Sequence, residues 1–272
     1  MSRSCDRPSC AARPTVRLNG KRHAPDLVFV KDESHTLTEE MNSFAVEKVE
    51  KLSQLDGYIL KKGSPTCGME RVKVYQGHGK PPKLGIGLFA KALIDRYPLL
   101  PIEEEGRLND PVLRENFIER VFLYKKLKSL CAKPSAKALV QFHTVHKFSL
   151  MSHSTEEYKK IGQIVSNIDK AKINEFCQQY MTQMMKAFKL KANKRKHTNV
   201  LQHIYGYLKD LIDELDRVEM REVIEQYRMG NLPLIVPITL LRHHVNRTQQ
   251  EYIKDQVYLF PYPNELMLRN AL

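Results

Sequence analysis

The sequence predicts two domains, an α/β layer domain over residues 1–132 and an all-α domain over residues 133–272. In the first part, short β-rich runs alternate with helical patterns, as they do in α/β layer folds. After the segment CAKPSA the patterns are helical as far as VYLF, residues 257–260, where a strand is predicted. The length of 272 residues is sufficient for two domains that each bury a core.

The elements of the first domain follow from hydrophobic spacing and from residues that begin or interrupt a helix. Thr36 followed by Glu39 matches a capping box, and apolar residues from Met41 to Leu55 recur at helical spacing. The pair Asp110-Pro111 opens a long helix, because proline fits the first helical turn. The predicted strands are 26–31, 58–62 and 71–75, with a last strand and loop at 98–106; the predicted helices begin near residues 37, 88 and 111, and 76–87 is predicted as a loop.

The second domain shows amphipathic helical patterns along most of its length. These patterns predict helices that bury a core between their apolar faces. The predicted helices are 136–152, 155–167, 170–190, 198–214, 217–229 and 236–246.

The chain is strongly basic. It carries 44 Lys and Arg against 31 Asp and Glu, a net charge of +13 and a pI of about 9.4. This excess favours a polyanionic partner such as nucleic acid, with a merely solvated basic surface as the alternative. No apolar run approaches the roughly 18 residues of a membrane span. The first residues lack the apolar core of a signal peptide, so we expect a soluble, cytoplasmic protein with no membrane partner and no evident protein partner.

Cys67 is the most informative of the five cysteines. An odd, unevenly spaced set is a poor disulfide framework, which leaves metal ligation, nucleophilic chemistry or simple burial for each thiol. Cys67 stands at a corner between two predicted strands, and the cations Lys61, Lys62, Arg71 and Lys73 that flank it favour a thiolate. A ligand or reactive group is therefore predicted there, with a buried structural thiol as the alternative.

The glycine-rich run YQGHGKPPKLGIGLF, residues 75–89, leads into the helix that begins near residue 88. Free N–H groups at that helix start predict a site for a phosphate or carboxylate. The run matches no established phosphate-binding motif, so a plain connection is the alternative.

The second domain offers two further surfaces. His143, His146 and His153 can share one helix face, where they predict a metal site, an RNA-facing surface with Lys147, or polar core groups. The segment 186–196 carries six basic side chains and no acidic one, which predicts phosphate binding, with a solvated charge run as the alternative. The predicted RNA-binding residues are Lys62, Arg71, Lys73, His143, His146, Lys147, Lys194, Arg195, Lys196, His197, Asn199, His203 and Arg242.

The chain resembles the YbgA-type fusion family, in which a TudS-type thiouracil-desulfidase domain is joined to a helical YbgA domain. The likeness extends from about Arg13 to the last residue. It rests on these motifs in order: RPTVRL, GYILKKGSPTCGMERVKVY, GIGLFAKAL, LPIEEEGRLNDPVLRENFIERVF, FHTVHKFSLMSHS, KHTNVLQHIYGYLKD, REVIEQYRMGNLPLIVPITLLRHH and YLFPYP.

The resemblance implies an iron-sulfur enzyme that removes sulfur from thiolated uracil and, in the fused form, a tRNA 4-thiouridine desulfidase. In that family three cysteines hold a 4Fe-4S cluster, and its open iron takes the thiocarbonyl sulfur while water attacks C4. Cys67 in SPTCG matches the last of the three ligands. Ser64 is implied as a group beside that ligand, and Glu70 is the candidate carboxylate near the substrate.

The start of the chain departs from the family pattern. The family places a C-L-L-G strand and a C-P-E segment before RPTVRL, whereas Ser2 stands where the second ligand is expected. Cys5 and Cys10 lie close by at other spacings and are the remaining candidate ligands. We expect a truncated or frame-shifted gene start and an α/β domain without its first strand.

Two functions are therefore expected from different classes. The first is a tRNA desulfidase that acts on tRNA or a thiolated uracil nucleotide, either with Cys5, Cys10 and Cys67 rearranged around a cluster or with a true start that lies upstream. The second is a cluster-free RNA-binding remnant of the same family.

Overall fold

The structure is a computed structural model that describes residues 15–21, 24–76 and 81–272. The described chain divides into two units: residues up to 55, 59–98 and 103–106 form the first, and residues 56–58, 99–102 and 107–272 form the second. The first is α/β and the second is helical, which confirms the predicted fold class. The boundary between the two domains, predicted after residue 132, stays a prediction.

A four-stranded mixed sheet forms the centre of the first unit. Its order is β2-β1-β4-β5, with β1 antiparallel to β2 and parallel to β4. Leu18 in the middle of β1 faces Leu27 and Val74 on the two neighbouring strands, and all three are buried. The elements up to residue 104 are β1 (Val16–Lys21), β2 (Ala24–Phe29), α1 (Thr38–Glu50), β3 (Tyr58–Leu60), β4 (Val72–Tyr75), β5 (Lys83–Gly85), α2 (Leu88–Arg96) and β6 (Ile102–Glu104).

The two runs that flank Cys67 form strands as predicted, but they belong to different sheets. β4 lies in the four-stranded sheet, while β3 pairs with β6 in a separate two-stranded sheet. The segment around Cys67 therefore connects two sheets.

Three local predictions for the chain are wrong. Helix α1 begins at Thr38 with Leu37 as N-cap, because Thr36 instead bridges to Val28 at the edge of the sheet. The predicted loop 76–87 contains strand β5, which pairs with β4. VYLF, residues 257–260, forms turns rather than a strand, since the Val257 N–H donates to the Val145 carbonyl of a helix.

Helices build the second unit, and several begin at the residue that the sequence indicates. Helix α3 begins at Pro111, and the side chain of the preceding Asp110 accepts hydrogen bonds from the Val112 and Leu113 N–H groups. α7 begins at Lys194, four residues before the predicted start, because the Asn193 side chain caps it. The helices are α3 (Pro111–Ala132), α4 (Ala136–His153), α5 (Thr155–Ser166), α6 (Ile173–Lys189), α7 (Lys194–Leu208), α8 (Glu214–Met229), α9 (Ile235–Thr248) and α10 (Glu251–Lys254).

An apolar core joins α4, α7, α8 and α9 with the segment that follows α10. Its central side chains include Phe148, Ile204, Tyr227, Leu241 and Tyr258. Burial of such a core accounts for the stability of helices that are individually too short to persist in water. Within the described residues, no helix is long and apolar enough to cross a membrane.

Candidate functional site

Cys67 lies in a tight turn whose backbone is fixed by the hydroxyl of Ser64. The Ser64 Oγ accepts hydrogen bonds from the Cys67 N–H at 3.1 Å and from the Thr66 N–H at 3.3 Å. The Thr66 hydroxyl lies 3.1 Å from Ser64 Oγ and donates to the Cys67 sulfur at 3.5 Å. The thiol is partly exposed. Ser64 and Thr66 thus orient the sulfur, as expected for groups that support a ligand or reactive thiol.

The N-terminus of α2 docks directly on this turn. The Leu88 N–H donates to the Pro65 carbonyl, and the Ala90 N–H donates to the Thr66 carbonyl. A β-carbon on Gly87 would lie 2.4 Å from the Thr66 carbonyl, so only glycine permits this approach. These first-turn N–H groups serve the protein backbone. The predicted anion site at this helix start is therefore wrong for the two groups that contact Pro65 and Thr66.

Two glutamates of the EEE run support the residues on either side of Cys67. The buried Glu104 carboxylate accepts a hydrogen bond from the Met69 N–H at 3.0 Å, and Glu105 accepts one from the Lys62 N–H at 2.9 Å. Glu105 also forms an ion pair with Lys61 at 2.9 Å. Sequence reasoning missed both carboxylates. A run of three acidic residues at the end of a predicted strand was the available signal.

The cations that flank Cys67 are exposed. Lys62, Arg71 and Lys73 all reach solvent, and Arg71 adopts a left-handed backbone with φ of 57°. Glu70, the candidate catalytic carboxylate, directly precedes Arg71 in the sequence and is partly buried.

In the part of the chain that the structure describes, Cys67 is the one thiol of this site, whereas the implied cluster takes three cysteine ligands. Among the described residues no group of three His, Cys, Asp or Glu side chains is placed to hold a metal. Cys131 and Cys177 lie in the second unit, where the Cys131 thiol donates to the Cys177 carbonyl. Cys5 and Cys10, the other predicted ligands, lie outside the described residues.

Comparison with known proteins identifies both parts of the chain. Residues 10–105 match the family model described as 2-thiouracil desulfurase, and residues 147–263 match the one described as Protein of unknown function (DUF1722). The "Uncharacterized protein YbgA" of Escherichia coli (strain K12) is 30% identical over 135 residues, which cover 49% of this chain and 80% of that relative. The chain belongs to the YbgA family. No solved structure matches it significantly.

These matches confirm the predicted fusion. A thiouracil-desulfurase-like part, which contains the Cys67 turn, is joined to a helical YbgA part. The first part of this YbgA-family protein is therefore desulfidase-like.

The basic segment of the YbgA helical part is largely solvent-exposed. Lys194 and Arg195 at the start of α7 are exposed, as is His203 further along the helix, and Asn199 is partly exposed. Lys196 differs, because its ammonium donates to the backbone carbonyls of His153 at 2.7 Å and Lys191 at 3.2 Å. Lys196 thus holds the connection between α6 and α7, which leaves less of its charge for an external phosphate.

Lys147 forms a second, smaller surface together with two tyrosines. Its ammonium lies 3.5 Å from the Tyr207 hydroxyl and close to the Tyr207 and Tyr252 rings, which stack with centroids 5.3 Å apart. Burial opposes the charge of Lys147, but the tyrosines outweigh it and raise the pKa of the lysine. Partly exposed rings beside a cation are suited to stacking with nucleic-acid bases.

Four of the predicted RNA-binding side chains have other roles. His146 and His197 are buried, with 3% and 5% of their surface exposed, so their predicted RNA contact is wrong. His143 is partly buried and stacks on Tyr158. Arg242 donates to the Leu259 carbonyl and to Asn264, which fixes the segment after α10.

The three histidines of α4 do not form a metal site. His146 stacks on Phe142, and burial lowers the pKa of His146 to about 4. His153 is fully buried; its Nε2 lies 3.0 Å from Glu119 and its Nδ1 lies 2.6 Å from the Leu190 carbonyl. Burial alone would lower the pKa of His153, but the Glu119 carboxylate outweighs it and raises that pKa.

A buried charge network links α3 to the last residues of the second unit, and sequence reasoning missed it. Glu115 accepts hydrogen bonds from the Tyr262 hydroxyl at 2.9 Å and the Arg269 Nε at 3.3 Å. Burial, together with nearby Glu119, raises the pKa of Glu115. The partners are too distant in sequence for a local pattern to reveal them.

Proposed function

We propose that this protein removes sulfur from 4-thiouridine in tRNA. Thiouracil chemistry is assigned to the first unit, where water supplies the oxygen that replaces sulfur at the thiocarbonyl carbon and sulfide leaves. RNA binding is assigned to the second unit. The cofactor of this proposal is a 4Fe-4S cluster, for which Cys67 supplies one thiolate.

The observation that carries the proposal is the construction of the Cys67 turn. The Ser64 hydroxyl, the α2 N-terminus and Glu104 all serve to hold the backbone around one partly exposed sulfur. This turn lies within the residues that match 2-thiouracil desulfurase.

Cluster binding needs further thiolates, and Cys5 and Cys10 are the candidates in this part of the chain. The desulfidase proposal therefore requires that both cysteines reach Cys67. Soft thiolate ligands favour iron-sulfur clusters over hard cations, so iron and sulfide in a ratio near one are expected after anaerobic reconstitution if Cys5 and Cys10 act as ligands with Cys67.

The exposed cations support the choice of tRNA over a free base. Lys194, Arg195 and His203 present charge and polarity along one helix, and Lys147 with Tyr207 offers a stacking surface. Phosphate neutralisation supplies most of the affinity of such surfaces and makes it dependent on salt.

The test is desulfidation of tRNA that contains 4-thiouridine, with released sulfide and lost thiouridine both measured. The protein is reconstituted anaerobically with iron and sulfide. Cys67→Ser is expected to abolish turnover. Cys131→Ser is the matched control, because it removes a partly exposed thiol from the second unit and is expected to keep turnover.

A second candidate function is RNA binding without a cluster. The observation that favours it is that, among the described residues, the Cys67 site has one thiol and no group of residues placed to hold a metal. A reconstituted protein that binds tRNA, holds no iron and releases no sulfide would establish this candidate and overturn the first. Sulfide release that survives Cys67→Ser would also overturn the first.

A further inference from the structure

A cavity in the second unit is lined by buried polar side chains. It has a volume of about 480 Å³ and lies between the starts of α3 and α7, the end of α8 and the last residues. The volume is within the usual range for small-molecule sites. The Cys67 turn belongs to the other unit, so this cavity is not part of the proposed desulfidase site.

Four buried side chains bring polar atoms to this cavity. Glu115, Asn116, His197 and Tyr227 line it, and each has 6% or less of its surface exposed. Asn116 uses its amide N–H on the Phe188 carbonyl, and His197 uses Nδ1 on the Tyr258 hydroxyl. The other polar atoms of these side chains have no hydrogen bond to a described residue.

The free polar atoms of these side chains are open to the cavity. The Glu115 Oε2, the Asn116 Oδ1 and the Tyr227 hydroxyl do not belong to the side-chain atoms that are fully buried without a partner, so water reaches them. A bound molecule can replace that water and make the same hydrogen bonds. The arrangement offers acceptors to N–H groups of a bound molecule.

The mouth of the cavity is positively charged, whereas the buried side chains offer hydrogen-bond acceptors. Lys191 and Lys194 line it with exposed ammonium groups, and the α7 N-terminus opens at the same place. Lysine and a helix N-terminus both favour an anion. The Lys194 ammonium lies 6.0 Å from the centre of the Tyr227 ring, which places the cation beside the buried acceptors.

The mouth is also held in place by the buried network. The His153 Nδ1 lies 2.6 Å from the Leu190 carbonyl, and Lys196 donates to the Lys191 carbonyl. These contacts hold the first two residues of the connection 190–193, and the Asn193 side chain holds its last residue by accepting a hydrogen bond from the Lys196 N–H. The site is therefore formed before a ligand arrives. Preorganisation of this kind lowers the entropic cost of binding.

We propose that this cavity binds a nucleoside monophosphate, with its phosphate at Lys191 and Lys194 and its base N–H groups at Glu115, Asn116 and Tyr227. The volume exceeds what inorganic phosphate needs, and the separation of cations from acceptors matches a molecule with an anionic end and an N–H-bearing end. This site goes beyond the desulfidase proposal.

Calorimetry on the full chain tests the site with four probes: UMP, GMP, uridine and inorganic phosphate. UMP or GMP is expected to bind, with uridine and phosphate each at least about tenfold weaker, because each lacks one end of the ligand. Lys194→Ala is expected to weaken the nucleotide about tenfold and to leave uridine unchanged. Lys159→Ala, an exposed lysine on α5, is the control and is expected to bind like the parent.

Tyr227→Phe separates a ligand contact from a structural role. The hydroxyl has no described partner, so its removal is expected to leave the unfolding free energy within about 0.5 kcal/mol of the parent. Nucleotide affinity is expected to fall about five- to tenfold, as for one lost hydrogen bond. The proposal is overturned if no nucleotide binds at about 1 mM, if phosphate alone binds as tightly, or if Lys194→Ala binds like the parent.

Mononucleotide binding in the second unit is measured without thiolated RNA and without iron. A negative result in this binding experiment would therefore not affect the desulfidation assay of Cys67. Conversely, Cys67→Ser is expected to lose desulfidation and to bind UMP with the affinity of the parent.

Discussion

Gly87 lies so close to Thr66 that a β-carbon on the glycine would be 2.4 Å from the Thr66 carbonyl carbon and oxygen. Both atoms belong to the backbone, which cannot rotate away as a side chain can. The contact joins the first residue before α2 to the turn that holds Cys67, and the position of the thiol depends on it.

Gly87→Ala is therefore expected to displace the Cys67 turn and to destabilise the first unit by about 1–3 kcal/mol, as for an overpacked core. Urea unfolding measures the cost, and the rate of Cys67 modification by a thiol reagent reports the displacement. Gly206→Ala on α7 is the control. A β-carbon there meets no atom within 4 Å, so that helix is expected to gain up to about 1 kcal/mol. Unchanged stability and thiol reactivity in Gly87→Ala would contradict the close contact.

The buried pair of His153 and Glu119 predicts a loss of stability at alkaline pH. The folded-state pKa of His153 is raised, so its contribution is present in full below the unfolded pKa of about 6.5 and is lost as pH rises through the folded value. His153→Gln is expected to cost about 3 kcal/mol at pH 6 and to flatten this alkaline decline. Urea unfolding at several pH values above 6 measures both. A parent protein whose stability does not fall above pH 6.5 would argue against a charged His153.

His146 predicts the opposite behaviour on the acid side. Its folded pKa is lowered to about 4 by burial, so the unfolded chain binds its proton first as pH falls below about 6.5. Stability is thus expected to fall between pH 6.5 and pH 4. His146→Leu is expected to remove this contribution. At pH 7 it removes the hydrogen bond between Nδ1 and the Phe142 carbonyl together with an Nε2 that is buried without a partner, so the cost there is expected to be about 1 kcal/mol. An acid profile identical to that of the parent would show that another group is responsible.

The exposed cations predict a salt-dependent affinity for tRNA. Lys186 and Arg195 are exposed, whereas Lys196 is bound to backbone carbonyls, so the first two are the better test of the segment 186–196. Lys186→Ala with Arg195→Ala is expected to flatten the slope of log K against log salt by about two units. Lys137→Ala with Lys159→Ala removes equal charge from exposed positions outside the segment and is expected to leave the slope unchanged. Equal slopes for the two double variants would remove the segment from the interface.

Local signals predicted much of the helical unit correctly. Asp110 before Pro111, and Ser135 and Ser154 before their helices, each cap the expected start. Their hydrogen bonds reach two or three residues along the chain, which is the range that a sequence pattern describes. The start of α7 was missed because Asn193, its cap, stands among lysines rather than before an apolar run.

Contacts between distant segments set the limit of prediction. The glycines before α2 looked like an anion site, but Gly87 instead admits the Thr66 backbone, 21 residues earlier in the chain. Buried His146 and His197 looked like RNA contacts because their ring chemistry is the same inside a protein and at its surface. Only packing decides between these roles, and packing depends on which helices meet.

The network that joins Glu115 to Arg269 also constrains how the protein is made. The two residues are separated by 154 positions, and Gln256 donates to the Thr144 carbonyl across 112 positions. At about 5–20 residues per second, a ribosome adds Arg269 roughly 8–30 s after Glu115. During that interval the Glu115 side chain lacks the Arg269 cation and stays hydrated, so the start of α3 cannot be buried. Nascent chains of this protein are therefore expected to complete the second unit only late in translation. Until then the exposed helices are expected to bind chaperones.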